Sequence, residues 1–247
     1  MHLLAAKPGG FNDDEGIIDL AQTPGDIVIL SAQDTSLGLL AQSIEELPED
    51  YPEVRLANLM HMSKPAAFDL YEHCVLRYAK LIIVSVLGGL SYWEYGIDQL
   101  QQLVLRTGAS LVLVPGDDQP DSELRERSNC TDQSLLRIWK YLRFGGLRNA
   151  SNLFAYIRAE LIDPISSGIA WQEPRAFPSC IIYRKNEEFL DFVNWNASRN
   201  PDLPVAVLLF YRTHVQSGNT QAFDHFIELL GHRFNVLPLA VASLKDQ

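Results

Sequence analysis

Short apolar segments alternate along the chain with longer segments in which apolar residues recur every three or four positions. Each apolar segment predicts a strand, and together they cover residues 2–6, 26–31, 54–59, 80–87, 109–115, 179–184, 204–212 and 234–241. Several of them are apolar almost throughout rather than alternating with polar residues. Strands that are buried on both faces have this pattern, which is typical of parallel sheets covered by helices.

The longer segments predict amphipathic helices between the strands. They are Thr35–Leu47, Lys64–Ala79, Tyr92–Thr107, Asp132–Phe144, Leu147–Leu161 and Asn219–Leu230. We expect Asp34 to cap the first helix and Gly108 to follow the end of the third, because short polar side chains and glycine are preferred at those positions. Strands that alternate with helices predict βαβ units with right-handed crossovers.

This alternation breaks after the fifth predicted strand, and the break divides the chain. Residues 116–130 are polar and rich in turn-forming residues, and two helices follow with no strand between them. We predict an N-terminal α/β domain over residues 1–162, with a helical hairpin at about 131–162, and a linker containing three prolines over 163–178. Residues 179–247 predict the beginning of a second α/β domain.

The predicted fold class is therefore α/β, with parallel-sheet βαβ layers of the Rossmann-like or flavodoxin-like type and a helical insertion, followed by the start of a second α/β domain. We expect this second domain to be truncated, because its last strand would normally lead into another helix and a single βαβ unit is too small for a stable core. The sequence leaves open whether the later strands join the first sheet or form their own.

Composition and charge exclude several classes of protein. Hydrophobic residues make up 47% of the 247 residues, enough for a substantial core, and the formal net charge is −11. An acidic surface repels phosphate groups, so we expect neither nucleic acid nor an anionic membrane as a partner. The start of the chain lacks a signal-peptide pattern, and the three cysteines are widely spaced. We therefore expect reduced thiols in a cytoplasmic protein.

The first candidate for ligand binding is Gly88-Gly89-Leu90-Ser91-Tyr92-Trp93-Glu94-Tyr95-Gly96, which joins a predicted strand to a helix. Ligands bind at the carboxyl ends of strands in parallel sheets, where helix N-termini present free N–H groups. The paired glycines allow close approach of the backbone, and the three aromatic side chains can stack on a flat ring. The alternative is a tight turn whose aromatic side chains pack in the core.

Two further segments at strand ends carry reactive side chains. Asp117 and Asp118 suit a hard cation, or they bond to nearby backbone N–H groups in a turn. In the loop at 211–219, Arg212 suits a carboxylate, and His214 suits a divalent metal or proton transfer near neutral pH. A purely structural role is the alternative for both. No Walker A motif occurs, so we do not expect ATP to bind through a P-loop.

Several stretches of the sequence resemble the N-terminal region of the large subunit of aerobic cobaltochelatases. They include VRLANLMHMSKPAAFDLYEH, VSVLGGLSYWEYGIDQL, LVLVPGDDQPDSEL and VLLFYRTHVQSGNTQAFDHFIELL, in order and over essentially the whole chain. The most specific parts are GGLSYWEYG and FYRTH. The magnesium chelatase large subunit is a homologous family and the nearest alternative, and the GGLSYWEYG element favours the cobalt enzyme.

The resemblance implies a function. The large subunit of the family binds a tetrapyrrole, hydrogenobyrinic acid a,c-diamide, together with Co²⁺ as the metal to be inserted, in the route to cobalamin. Separate AAA+ subunits hydrolyse the ATP. On this basis we predict that the substrate contacts Gly88, Gly89, Ser91, Tyr92, Trp93, Tyr95 and Arg212, and that His214 binds the metal.

Members of the family are several times longer than this chain. We therefore expect the catalytic residues to lie elsewhere and the chain alone to be inactive. Two alternatives remain. The chain is a module that only covers the tetrapyrrole site or docks the ATPase subunits, or it is a truncated product without activity. For docking, residues 1–60 offer an acidic surface, with eleven acidic and two basic residues.

Overall fold

A computed structural model of the protein describes residues 17–164, 168–185 and 187–243, and the predicted strand at 2–6 lies outside them. The strands of the described residues form two separate four-stranded sheets. The later strands therefore form a sheet of their own. Among the helices of the described residues, none combines the length and the apolar character that a membrane span needs.

The first sheet is wholly parallel. Its strands are β1 (Ile27–Ser31), β2 (Val54–Asn58), β3 (Leu81–Val86) and β4 (Ser110–Pro115), in the order β2-β1-β3-β4. Every residue of β1 and β3 is buried, as their continuous apolar sequences predict. The α/β fold class with a parallel sheet is confirmed.

Helices cover both faces of this first sheet. They are α1 (Asp34–Glu45), α2 (Pro65–Cys74), α3 (Glu94–Thr107), α4 (Ser122–Arg127), α5 (Asp132–Phe144) and α6 (Leu147–Tyr156), which continues as a π-helical turn over Ile157–Ile162. Short 3₁₀ turns occupy Leu59–Met62, Leu76–Tyr78 and Leu90–Tyr92. One core cluster joins the sheet to α2 and α3, and a second joins it to α1, α5 and α6.

The helix ends show where local prediction holds and where tertiary contacts override it. Gly108 adopts the left-handed conformation at the end of α3, with φ of 77°, as expected. The prediction that Asp34 caps α1 is wrong, because Gln33 occupies the cap position. Asp34 lies within the helix, and its carboxylate accepts a hydrogen bond of 2.6 Å from the amide of Asn58.

The second sheet is mixed rather than parallel throughout. Its strands are β5 (Cys180–Arg184), β6 (Glu187–Leu190), β7 (Val205–Tyr211) and β8 (Asn235–Val241), in the order β6-β5-β8-β7. Only β7 and β8 are parallel, and the connection between them contains α8 (Thr213–Gln216) and α9 (Gln221–Gly231). β5 runs antiparallel to both of its neighbours, and α7 (Phe192–Ala197) follows β6.

One face of β7 is packed and the other is exposed. Leu208 and Phe210 contact Phe223 and Ile227 of α9 in a small core. The alternate residues Val205, Val207, Leu209 and Tyr211 are between 44% and 58% exposed. They form an apolar stripe on a strand whose neighbour β8 is parallel, a setting in which both faces are normally covered.

Candidate functional site

The two sheets, each with its helices, form two layers that meet at the junction between α5 and α6. The backbone N–H of Gly146 donates a hydrogen bond of 2.7 Å to the carbonyl oxygen of Gln216, at the end of α8. The side-chain amide of Gln216 in turn donates to the carbonyl oxygen of Phe144 at 2.9 Å. These paired bonds hold the loop after β7 against the start of α6, at the base of a cleft.

We call this the interlayer cleft, and its volume is about 820 Å³. It is lined by Gln42, Leu147, Arg148, Ser151, Arg175, Tyr183, Arg184, Lys185, Val215, Gly218, Thr220, Gln221, Asp224, His225 and Glu228. The size lies within the range of cavities that bind small molecules and cofactors. Both layers contribute walls, so the cleft exists only when the two are docked together.

The charge of the cleft is opposite to that of the whole protein. Among the described residues, four basic side chains line it, Arg148, Arg175, Arg184 and Lys185, against two acidic ones. The chain as a whole carries a formal net charge of −11. A local excess of positive charge between low-dielectric walls attracts and retains anionic ligands, and arginine binds carboxylates through two hydrogen bonds.

One wall of the cleft is organised by Asp224 of α9. Its carboxylate accepts a hydrogen bond of 2.8 Å from the hydroxyl of Tyr183 and a longer one of 3.4 Å from Thr220. Mainly because Tyr183 is buried, the pKa of its hydroxyl is raised to about 12. The hydroxyl therefore remains a hydrogen-bond donor at neutral pH. The carboxylate of Asp224, one of the acidic groups of the cleft, thus has its hydrogen-bond donors within the protein.

The opposite wall is held by Asn149, a buried residue of α6. Its side-chain amide donates to the carbonyl oxygens of Gly145 at 2.7 Å and Arg175 at 2.9 Å. Its carbonyl oxygen accepts a hydrogen bond of 2.9 Å from the backbone N–H of Arg175. Arg148 donates to the side chain of Gln172. The segment between the layers is thereby bound to α6, and both Arg148 and Arg175 line the cleft.

The aromatic loop at 88–96 lies elsewhere, and none of its residues lines the interlayer cleft. Gly88 and Gly89 have positive φ angles of 90° and 75°, which only glycine adopts readily. Trp93 is 6% exposed, donates its indole N–H to the carbonyl oxygen of Met62 at 3.0 Å, and packs edge-on against Phe68. The structure thus places Trp93 in the core, as the packed-turn alternative proposes.

The neighbouring side chains of this loop remain accessible. Ser91 is exposed, Tyr92 is 53% exposed, and Tyr95 is 40% exposed. The hydroxyl of Tyr95 donates to Asp69 at 2.7 Å, and this bond raises the pKa of Tyr95. The hydroxyl of Tyr92 points to the sulfur of Met60 at 3.3 Å.

The loop after β7 borders the interlayer cleft, but its two predicted site residues face other groups. Val215 and Gly218 of this loop line the cleft. Arg212 donates to the carbonyl oxygens of Phe177 at 2.9 Å and Pro178 at 2.5 Å, and burial lowers its pKa. It thus ties the end of β7 to the segment before β5.

The other three polar candidates, His214, Asp117 and Asp118, also contact other residues of the chain. The ring of His214 packs against that of Phe223, with centroids 4.8 Å apart. Asp117 accepts from the backbone N–H of Gln119 at 3.0 Å, as the turn alternative predicts, and Asp118 pairs with Arg143 at 2.9 Å. Within the described ranges, no group of three or more His, Cys, Asp or Glu side chains could hold a metal ion.

Sequence reasoning missed the basic residues of the cleft. Arg148, Arg175 and the pair Arg184-Lys185 come from three separate segments, so no local motif unites them. The one available signal was the basic pair that ends β5. The three segments come together in one cleft only because the two layers dock against each other.

The chain is similar to known proteins over its whole length. The CobN/magnesium chelatase family model matches residues 139–247, which contain every lining residue of the cleft except Gln42. The chain is 44% identical over its full length to the aerobic cobaltochelatase subunit CobN of Pseudomonas aeruginosa, and 34% identical to that of a Sinorhizobium species. It spans 20% of the length of each of these curated relatives.

A solved structure shows the same architecture. The catalytic subunit of cobaltochelatase from Mycobacterium tuberculosis superimposes with a TM-score of 0.66 and 26% sequence identity, over 90% of this chain and 16% of that one. The resemblance expected from the sequence is therefore confirmed: along its whole length this chain is similar to part of the aerobic cobaltochelatase subunit CobN, and its residues 139–247 match the CobN/magnesium chelatase family model.

Proposed function

We propose that the chain is the N-terminal part of the tetrapyrrole-binding large subunit of an aerobic cobaltochelatase, and that its interlayer cleft receives the acidic edge of the tetrapyrrole. The observation that carries this proposal is the cluster of four basic side chains in a cleft of about 820 Å³ on an otherwise acidic protein. A partly amidated corrin acid such as hydrogenobyrinic acid a,c-diamide presents several carboxylates, which are natural partners for arginine.

The rest of the reaction follows from the resemblance. Co²⁺ is the substrate metal, and AAA+ partner subunits in the cytoplasm hydrolyse the ATP that drives its insertion. In this division of labour the chain binds and orients the substrate, while the residues that remove pyrrole protons and dehydrate the ion lie in polypeptide outside it. On its own the chain is inactive as a chelatase.

Fewer residues of the aromatic loop are assigned to the substrate in this proposal than the sequence predicts. Tyr92 and Tyr95 are accessible for stacking on the macrocycle, with Ser91 beside them, while Gly88, Gly89 and Trp93 shape and support the loop. Arg212 acts on substrate only through the position of its loop, and His214 is retained as the candidate metal contact of that loop. Each of these roles is a prediction.

The central test is a titration of the chain with hydrogenobyrinic acid a,c-diamide, followed by the absorbance of the corrin. We expect saturable binding that weakens by roughly tenfold when Arg175 and Arg184 are both changed to alanine, because two charge-assisted contacts are lost. Arg77→Ala, which removes an exposed arginine that lies over the ring of Tyr78, is the matched control. The methyl ester of the same corrin carries no carboxylates and should bind weakly to every variant.

The results separate the alternatives. Equal affinity of the double variant and the Arg77→Ala control would remove the cleft from the proposal, and loss of binding in Tyr92→Ala alone would move the site to the aromatic loop. A preference for protoporphyrin IX would favour the magnesium enzyme. If neither tetrapyrrole binds and the chain retains the ATPase subunits on an affinity column, the docking alternative is correct.

A further inference from the structure

The carboxyl ends of β1 and β3 enclose a second cavity, which the proposed function does not use. From β1 the chain passes to β2 on one side of the sheet, whereas from β3 it passes to β4 on the other. In an open parallel sheet, such a reversal leaves a crevice in which ligands bind. The cavity at this position, which we call the switch-point cavity, has a volume of about 320 Å³.

Two serines near the carboxyl ends of these strands line the cavity, Ser31 at the last position of β1 and Ser85 one residue before the end of β3. Ser31 and Ser85 are partners in the parallel register of β1 and β3, and they are 3% and 8% exposed. The hydroxyl oxygen of Ser31 accepts a hydrogen bond from the backbone N–H of Gln33 at 3.1 Å. The hydroxyl of Ser85 has no hydrogen-bond partner among the described residues. Ser85 lines the cavity, so its hydroxyl is available to donate to, or accept from, a ligand there.

Two carboxylates line another side of the same cavity. Asp117 and Asp118 follow β4, and each accepts a hydrogen bond from another described residue through only one of its oxygens. Arg143, the partner of Asp118 at 2.9 Å, is the one cation among the described lining residues. Two acids against one base disfavour a phosphate or a carboxylate, so the ligand is not an anion.

The serines and carboxylates of the lining together suit a ligand whose groups both accept and donate hydrogen bonds. A hydroxyl group accepts from a serine and donates to a carboxylate, and adjacent hydroxyls satisfy both walls together. Acidic side chains at strand ends bind ribose hydroxyls in this way at the crevice of dinucleotide-binding sheets. The apolar side chains of Ile29, Leu40 and Leu142 also line the cavity and suit the carbon face of a sugar ring.

We propose that the switch-point cavity binds the adjacent hydroxyl groups of an uncharged sugar, either free or as the ribose of a nucleoside. Ser31 and Ser85 donate to the sugar oxygens, and Asp117 and Asp118 accept from the sugar hydroxyls. The site lies in the first layer and is independent of the interlayer cleft, so its test does not depend on tetrapyrrole binding.

The test is a titration of the full 247-residue chain, labelled with ¹⁵N, with D-ribose, adenosine and inorganic phosphate in separate experiments. We expect ribose or adenosine to shift the amide resonances of Ser31, Gln33 and Gly116 in a saturable way, and phosphate to leave them unchanged. Ser85→Ala and Asp117→Asn should each weaken the binding by roughly 3- to 10-fold, the loss expected for one hydrogen bond. Ser43→Ala removes another buried serine, from α1 and outside the cavity, and should bind like the unaltered chain.

Binding of adenosine without ribose would identify a nucleoside as the source of the hydroxyls, and equal binding of both would identify the sugar itself. Either result supports the proposal if Ser85→Ala weakens it. The proposal is overturned if neither compound gives saturable shifts, if phosphate binds in their place, or if Ser85→Ala and Ser43→Ala behave alike. One-dimensional spectra of each variant confirm that it is folded before the comparison is made.

Discussion

A Cβ atom added to Gly145 would lie 2.5 Å from the carbonyl oxygen of Gln216, closer than Cβ atoms approach a backbone oxygen in real proteins. Gly145 belongs to the first layer, between α5 and α6, and Gln216 to the second. Its φ of 65° lies in the left-handed region as well. Position 145 therefore requires glycine for two reasons: its backbone conformation disfavours any other residue, and the docked second layer leaves no room for a side chain.

Two glycine variants measure how much the contact between the two layers contributes to the free energy of unfolding. Gly108→Ala introduces a methyl group at φ of 77° with no atom within 4 Å of it, so only backbone strain of about 1 kcal/mol is expected. Gly145→Ala combines greater strain, because a ψ of −166° places Gly145 in a backbone region that essentially only glycine adopts, with displacement of Gln216, and we expect it to lower the free energy of unfolding by about 2 kcal/mol or more. Urea unfolding compares them, and equal losses would show that the contact between the layers adds no stability.

The ion pair between Asp26 and Lys80 predicts a pH dependence. Lys80 lies 2.8 Å from the carboxylate, and this hydrogen bond lowers the pKa of Asp26 below its ordinary value of 3.8. A lowered pKa in the folded state stabilises the protein above the ordinary value, and the effect is lost as the pH falls through the lowered value. Both side chains are partly exposed, so Asp26→Asn should cost roughly 0.5–1 kcal/mol at pH 7.

The same difference should shrink as the pH is lowered below 3.8. Urea unfolding at a series of pH values measures it, with Asp202→Asn as the control, since Asp202 is exposed and forms no ion pair in the described part of the chain. A cost of Asp26→Asn that stays constant across the series would contradict the assignment.

Adjacent leucines of β7 should respond oppositely to a charge. Leu209 is 51% exposed on the apolar stripe, whereas Leu208 packs against the core beneath α9. Leu209→Lys should leave the free energy of unfolding almost unchanged and reduce binding of a hydrophobic dye, because the stripe is broken. Leu208→Lys should destabilise the protein by about 2 kcal/mol or more, because a charged side chain replaces apolar contacts with the core under α9.

Denaturant titration and dye fluorescence of the two variants provide the measurement. Dye binding that persists undiminished in Leu209→Lys would show that another surface is the main apolar patch. Similar losses of stability in both variants would show that the stripe is covered in solution.

Neighbouring aromatic residues of the loop at 88–96 should also differ. Trp93→Ala removes a buried side chain that packs against Phe68, and a loss of about 3–5 kcal/mol in unfolding free energy is expected. Tyr92→Ala removes a side chain that is 53% exposed and should cost less than about 1 kcal/mol. Thermal unfolding compares the two variants, and a stable Trp93→Ala protein would contradict the assignment of Trp93 to the core.

Much of the fold could be predicted from local patterns. The continuous apolar runs at 26–31 and 80–87 correspond to β1 and β3, which are wholly buried, because only a strand covered on both faces can consist of apolar residues alone. α4 was missed, since residues 116–130 are mostly polar. Its one signal was Asp121, whose carboxylate accepts hydrogen bonds from the first turn of the helix.

The candidate site was predicted less well. The pattern correctly placed the candidate loops at strand ends, but it could not distinguish Trp93, which is buried, from Tyr92, which is exposed. The two follow one another, and a 3₁₀ turn that ends at Tyr92 sends their side chains in different directions. The antiparallel orientation of β5 could not be predicted either, because a short apolar strand has the same sequence pattern in parallel and antiparallel pairings.

The sequence by itself determined the α/β class, the positions of most helices and strands, and the resemblance to the cobaltochelatase family, since these depend on the order and periodicity of residues along the chain. Only the tertiary structure decided that Arg148, Arg175 and Arg184 share one cleft and that Ser31 and Ser85 share another cavity. Such groupings join residues that lie far apart in sequence, and they arise from strand register and from the docking of the layers, which no local pattern encodes.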